Sequence, residues 1–275
     1  MEHRNLVDPV RAETMSAAEL RAAFLVEDLF PRGEVKLVHW EGERTILGSA
    51  VPLDAPLALE APPEIRAPRF CARRELGVLN LGGAGRVTVD GTAHALGPRD
   101  GFYVGRGTKD VLFTSDEPAN PALFYLVSHP CHADHPARVA RQADAQTFHL
   151  GEPARANVRT LRRYVHPGAF PTGQLVMGVT DLEVGSVWNT MPPHRHARRT
   201  EVYLYFDLDP EAVVFHFMGR PGETRHLVVR NLQVVLSPSW SMHFAAATSR
   251  YAFVWAMGGE NQEFDDMQGV PLGEL

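Results

Sequence analysis

Cysteine is nearly absent. Cys71 and Cys131 are far apart and in no CxxC pattern, so no disulfide framework is available. Both read as small side chains in or near a core, and their scarcity fits a reducing compartment. No apolar run approaches the roughly 18–20 residues that cross a bilayer. The opening MEHRNLVDPVRAETM lacks the apolar segment of a signal peptide. A cytoplasmic protein with no membrane association is therefore expected. Basic residues form no long run, the net charge is −6, and no helix-turn-helix stretch is evident, which argues against a nucleic-acid partner. Helical periodicity is also scarce. One helix is legible, in SAAELRAAFL, where Ser16 and Glu19 form a capping box and Leu20 and Phe24 share a face.

What remains is β-rich. Short runs such as EVKLVHW, TILGSAV, LGVLNL, RVTVDG, DVLFTS and ALFYLVSH are divided by Gly, Pro and Asp clusters. After a polar middle they resume with GQLVMGVTDL, EVYLYF, AVVFHFM, HLVVR, LQVVLS and YAFVWAMG. Short strands at regular spacing predict a sandwich or barrel. The 275 residues, 44% hydrophobic and 22% charged, suffice for one large domain or two ordinary ones with a sizeable core. The middle stretch, poor in apolar residues, places a boundary near residue 150, giving domains 1–150 and 151–275. The two halves echo each other: LGPRDGFYVGRGTKDVLF in the first matches LQVVLSPSWSMHFAAA in the second. Where the second has His243, the first has Lys109 or Asp110, and no His-x-His precedes them. A duplication with one armed half explains this.

The chemistry concentrates in WNTMPPHRHARRTEVYLYF, residues 188–206. His194 and His196 alternate with one residue between, so on a strand they point the same way. Glu201 is an odd number of positions beyond His196, so the intervening ARRT must hold a turn or bulge that aims it back inward. Tyr203 and Tyr205 then share its face, and Val202, Leu204 and Phe206 cover the other. His243, after the turn PSWS, would be a fourth member. Imidazoles with a carboxylate suit a borderline divalent ion: Zn²⁺, Fe²⁺, Mn²⁺ or Ni²⁺. His-x-His alone reads better as a hydrogen-bonded His pair beside a surface Glu; Glu201 and His243 at this spacing turn the balance strongly to the metal. His216, alternating with apolar neighbours, reads as a core histidine. His129, His132 and His135 read as solvated loop residues.

His-x-His-x(4)-Glu followed by Pro-x-Trp-x-x-His resembles the two cupin motifs, with Trp240 where cupins usually carry Gly. Longer blocks, RRELGVLNLGGAG, WNTMPPH, ETRH, SPSWS and GENQEFDDM, resemble the 5-keto-4-deoxyuronate isomerases of bacterial pectin breakdown, also called 4-deoxy-L-threo-5-hexosulose-uronate ketol-isomerases. The resemblance spans nearly the whole chain. It implies a mainly β fold of two cupin-like double-stranded β-helix barrels (a bicupin) with a short N-terminal helix, and a degenerate first barrel. It further implies one zinc ion per subunit on His194, His196, Glu201 and His243, and a homohexamer. The implied reaction converts 5-dehydro-4-deoxy-D-glucuronate to 3-deoxy-D-glycero-2,5-hexodiulosonate, an aldose–ketose isomerisation. No redox cofactor is required, and LGGAG, lying between two β-like runs, forms no phosphate loop.

Such a reaction needs a Lewis acid to stabilise an enediolate and a base to carry a proton between C1 and C2. Glu201 is one candidate base, and a hydroxide on the ion is another. Tyr203 is a candidate acid or relay, or a barrel-lining aromatic. The substrate carboxylate calls for a guanidinium, from Arg163, Arg198 or Arg199, with Arg163 favoured. Gln174 would bond sugar hydroxyls or satisfy backbone. The apolar runs AVVFHFMG and YAFVWAMG need cover on both faces, which predicts an oligomer. Competing readings are a metal-dependent cupin dioxygenase, separable by activity without oxygen, and a non-catalytic sugar-binding cupin, which would turn nothing over.

Overall fold

The computed structural model describes residues 1–275. Contacts divide the chain into two compact units. The first comprises Met1–Arg4, Leu29–Ala145 and Tyr164–Val176; the second comprises Asn5–Asp28, Gln146–Arg163 and Met177–Leu275. A single cut near residue 150 is thus too simple. The N-terminal helical segment belongs with the C-terminal strands, and residues 164–176 belong with the first unit. Linker composition could not reveal this, because segment exchange is decided by which sheet edge a strand finds.

Each unit is a pair of facing sheets. In the first, a seven-stranded sheet runs in the order Glu2–Arg4, Val35–Trp40, Thr45–Ala50, Phe124–Pro130, Arg74–Asn80, Gly101–Val104, Arg138–Ala140. Its four-stranded partner runs Leu57–Ala58, Val111–Ser115, Gly85–Val89, Thr92–Leu96. In the second unit, seven strands run Gln146–Leu150, Arg159–Val165, Val176–Leu182, Ala252–Gly259, Arg199–Phe206, Gln233–Ser237, Leu25–Val26. Facing them are Gln268–Gly269, Trp188–Arg195, Met242–Ala247, Val214–Arg220 and Glu223–Val229. The large sheets correspond in strand order except at one edge, where Glu2–Arg4 pairs parallel and Gln146–Leu150 antiparallel, and the small ones correspond apart from the extra Gln268–Gly269 edge. The internal echo of the sequence is therefore a repeat of topology. It also locates the difference: opposite the eight-residue Trp188–Arg195 stands only the two-residue Leu57–Ala58.

The expected helix is present as Ala17–Phe24, with Ser16 and Glu19 closing a reciprocal capping box and Leu20 and Phe24 buried. A second short helix, Pro9–Thr14, precedes it, capped by Asp8. Arg225 holds this segment by donating to the carbonyls of Ala12, Glu13 and Met15. Trp240 donates to the Val7 carbonyl at 3.0 Å and meets Phe24 edge-on. The tryptophan in the usual glycine place thus clasps the N-terminal segment.

The core of the first unit gathers buried side chains such as Ile46, Leu76, Phe102, Phe113 and Phe124. Burying each large aliphatic or aromatic side chain contributes about 1.5–3 kcal/mol. Ala252–Met257, in the strand expected to need an oligomeric partner, is buried within the chain itself. The two-faced apolar pattern of that strand therefore gives no argument for assembly. His129 is likewise not a loop residue. It lies on the strand Phe124–Pro130, 1% exposed, with Nδ1 3.4 Å from Thr45 Oγ1. His132 is exposed, and His216 is buried against the Tyr205 hydroxyl at 2.7 Å, a core histidine as read.

Candidate metal centre

The second unit supplies every residue of the site. His194 lies on Trp188–Arg195 and stands directly opposite His243 in the antiparallel register with Met242–Ala247. A register irregularity between Asn189 and His194 precedes it. The chain then turns at Ala197–Arg198 and enters Arg199–Phe206 in the other sheet, so Glu201 approaches from the opposite wall. That turn is the one the odd spacing required. His194, His196 and His243 offer nitrogens all within 4.8 Å of one another, a group that could hold a metal ion. Glu201 Oε2 lies 3.2 Å from His243 Nε2 and 3.5 Å from His196 Nε2.

The outer hydrogen bonds explain why the Nε2 atoms converge. His194 Nδ1 lies 3.4 Å from the Pro192 carbonyl, and His196 Nδ1 lies 2.9 Å from Asp266 Oδ1. A carbonyl or carboxylate only accepts, so a proton on each Nδ1 satisfies these two contacts and leaves the Nε2 lone pairs free; the Arg199 guanidinium, 3.3 Å from His196 Nδ1, meets Asp266 instead. His243 Nδ1 is 3.1 Å from Ser237 Oγ, which accepts equally well. The atoms left over are telling. His243 Nε2 and Glu201 Oε2 are buried with no hydrogen-bond partner. Buried polar atoms are normally satisfied, and a cation bridging these two would satisfy both.

Two of the three histidines, His194 and His243, are held toward the neutral form that can ligate. Burial, with His196 next, pushes His194 down to about 4. Burial and the three neighbouring imidazoles hold His243 well below its ordinary value. Burial also pulls His196 down, but the hydrogen bonds and charges of Glu201 and Asp266 outweigh it, and its net shift is upward. Burial followed by Glu201 holds the Tyr203 phenol far above its ordinary range, so it stays protonated.

His194, His196 and Glu201 line a cavity of about 460 Å³. Phe253, Trp255, Met257 and Phe264 make its apolar walls. Gly178 makes room for the tryptophan: a Cβ there would meet Trp255 at 2.1 Å. Arg163, Arg199 and Tyr203 line the cavity as well. Arg163 lies 3.6 Å over the Phe264 ring and 4.7 Å over Phe148, and its Nε has no partner. Arg199 is 1% exposed and donates to Asp266, while its Nε and Nη1 are buried without partners.

Two expected contacts fall elsewhere. Gln174 belongs to the first unit, where its side chain donates to the Pro130 carbonyl at 2.6 Å, the backbone-satisfying alternative. Arg198 is paired with Glu260 at 2.6 Å on the surface. Asp266, and Arg159 and Thr190 on the cavity wall, are not legible as site residues in the sequence. Asp266 sits in the block GENQEFDDM, but nothing in its local pattern tells that it folds back onto His196.

The sequence matches the KduI/IolB family over residues 30–269. The chain belongs to that family. Its curated relatives include 4-deoxy-L-threo-5-hexosulose-uronate ketol-isomerases of Lachnoclostridium phytofermentans, 46% identical over all of both chains, and of Kineococcus radiotolerans, 49% identical over all of both chains. The KduI/IolB fold is shared with an IolB-like protein from Salmonella typhimurium LT2, with a TM-score of 0.75 at 14% identity, covering 90% of this chain and 96% of that one. An oxalate decarboxylase from Bacillus subtilis matches at a TM-score of 0.60 and 11% identity, covering 90% and 79%. This is the cupin architecture. No helix is long and apolar enough to cross a membrane.

Proposed function

We propose that this KduI/IolB protein isomerises 5-dehydro-4-deoxy-D-glucuronate to 3-deoxy-D-glycero-2,5-hexodiulosonate, with a divalent ion, zinc, on His194, His196, Glu201 and His243. The isomerase assignment rests on full-length relatives of that name at 46–49% identity. The observation that carries the metal is the pair of orphaned buried atoms, His243 Nε2 and Glu201 Oε2, facing each other at 3.2 Å. The ion, when bound, supplies Lewis-acid polarisation of the substrate carbonyl and adjacent hydroxyl.

The chain's own residues do the rest. Glu201 is positioned to move the proton between C2 and C1. Tyr203, protonated and hydrogen-bonded to Glu201, passes its proton to the C1 oxygen that becomes a hydroxyl and regains one from the C2 hydroxyl that becomes the ketone. Arg163, fixed between Phe148 and Phe264, takes the substrate carboxylate, with Arg199 as a second cation on the same cavity. The aromatic walls exclude water from the enediolate. The protein works in the cytoplasm as a homohexamer, supplying uronate catabolism.

The test is incubation of purified, metal-analysed protein with the keto-uronate in D₂O, following C1 and C2 by NMR without oxygen. Anaerobic conversion with deuterium exchange supports the isomerase. A requirement for O₂ would instead favour the dioxygenase, and no turnover the binding protein.

A further inference from the structure

The first unit has a cavity of its own, about 340 Å³, unrelated to the metal cluster. Arg44, Arg73 and Arg74 line it, with His3 and His39, and Glu64 is the one carboxylate among its lining residues. Glu64 lies 3.2 Å from the Met1 amino group, which already engages it.

The guanidiniums are held without negative partners. Arg74 is 8% exposed. Its Nε donates to Ser128 Oγ at 3.0 Å and its Nη2 to the carbonyls of Arg44 at 2.7 Å and Ser128 at 2.8 Å, all neutral acceptors. The neighbouring Glu75 does not neutralise it by contact. That carboxylate accepts from the Tyr103 hydroxyl and the amides of Gly173, Gln174 and Leu175. Arg44 and Arg73 are exposed, and no ion pair engages either. Glu43 and Arg44 both adopt left-handed backbone, φ 50° and 51°, uncommon for consecutive non-glycine residues. That turn is what delivers the Arg44 carbonyl to Arg74.

Burial is the main cause that lowers His39, and His3 and Arg74 lower it further. Burial and then Arg74 push His129 down to about 3. His39 Nδ1 is buried with no hydrogen-bond partner. A concave site with surplus guanidinium forks complements an oxyanion, and its volume is that of a small metabolite.

We propose that this cavity binds a small oxyanion, the carboxylate or phosphate group of a metabolite, between Arg44 and Arg73, with the fixed charge of Arg74 behind it. The site is separate from the isomerase centre and does not depend on that assignment.

Calorimetric titration of the full-length, metal-loaded protein with inorganic phosphate and with glucuronate tests this at constant ionic strength. Saturable binding of at least one probe is expected. In the Arg44→Gln, Arg73→Gln double variant it should weaken at least tenfold, with metal content and turnover unchanged. Binding of phosphate alone assigns a phosphate ester, and of glucuronate alone a carboxylate; either supports the site. Arg74 is left intact because it holds two backbone carbonyls. Should the double variant fold poorly, Arg73→Lys keeps the charge, loses the fork and should show a partial loss. Absence of saturable binding by both probes, or binding indifferent to these substitutions, overturns the proposal.

Discussion

Asp266 Oδ1 stands 2.9 Å from Nδ1 of His196 and also accepts from the buried guanidinium of Arg199. One carboxylate from the C-terminal segment therefore orients a candidate metal ligand and is itself held by a residue three positions beyond that ligand. Arg195 and Gln268 reinforce the junction at 3.1 Å.

Asp266→Asn should lower metal affinity by about 10–100-fold, because the neutral amide no longer fixes the His196 tautomer or balances Arg199. Chelator competition measures this independently of turnover. Unchanged affinity would remove Asp266 from that role.

His196→Ala should release the ion and abolish most activity while the protein stays folded. The core rests on apolar side chains such as Phe102, Phe113 and Phe124 in one unit and Met242 and Phe244 in the other. Elemental analysis beside circular dichroism separates the two effects; retained stoichiometric metal would contradict the ligand assignment.

Glu201→Gln should depress kcat by about 10²–10⁴-fold at saturating metal, the usual range for a lost proton carrier. Asp110→Asn should leave metal content unchanged and activity within a few-fold. Asp110 is exposed, and its hydrogen bonds to Asp90 run through its backbone amide and carbonyl. Loss of turnover in well-folded Asp110→Asn protein would mean that the first half takes part in the reaction.

Arg163→Ala should raise KM by about tenfold to hundredfold, the worth of one charged hydrogen-bonding partner, with a smaller effect on kcat. Steady-state kinetics decide it; an effect confined to kcat would assign Arg163 another task.

Stability should fall with acid. His129 and His216 are both lowered to about 3 in the folded chain by burial, against about 6.5 when unfolded. The unfolded chain then binds more protons between those values. The stability they contribute is full above pH ~6.5 and declines as pH falls toward 3, by up to about 1.4 kcal/mol per unit for each histidine. Urea unfolding at pH 7 and pH 5 should show this decline, and His129→Asn should reduce it. A pH-independent midpoint would count against it.

The sequence by itself determined the β-rich architecture, the capped helix and the chemical cluster, because these are local. Alternating apolar residues, the Ser16–Glu19 box and the odd spacing from His196 to Glu201 are short-range facts that the backbone must obey. The repeat was also legible, since both halves carry the same strand–turn–strand pattern. Tertiary structure alone decided which strand closes which sheet. Leu25–Val26 completes the second unit's sheet and Arg138–Ala140 the first's, a choice made by edge hydrogen bonding between residues distant in sequence. It likewise decided that Gln174 satisfies Pro130, and that Ala252–Met257 finds its cover within the chain. Asp266 and the Arg44–Arg73–Arg74 cavity depend on long-range approach in the same way. A carboxylate seventy residues from its histidine, or guanidiniums brought together from separate strands and turns, leave no periodicity to read. Only the packed sheets set those distances.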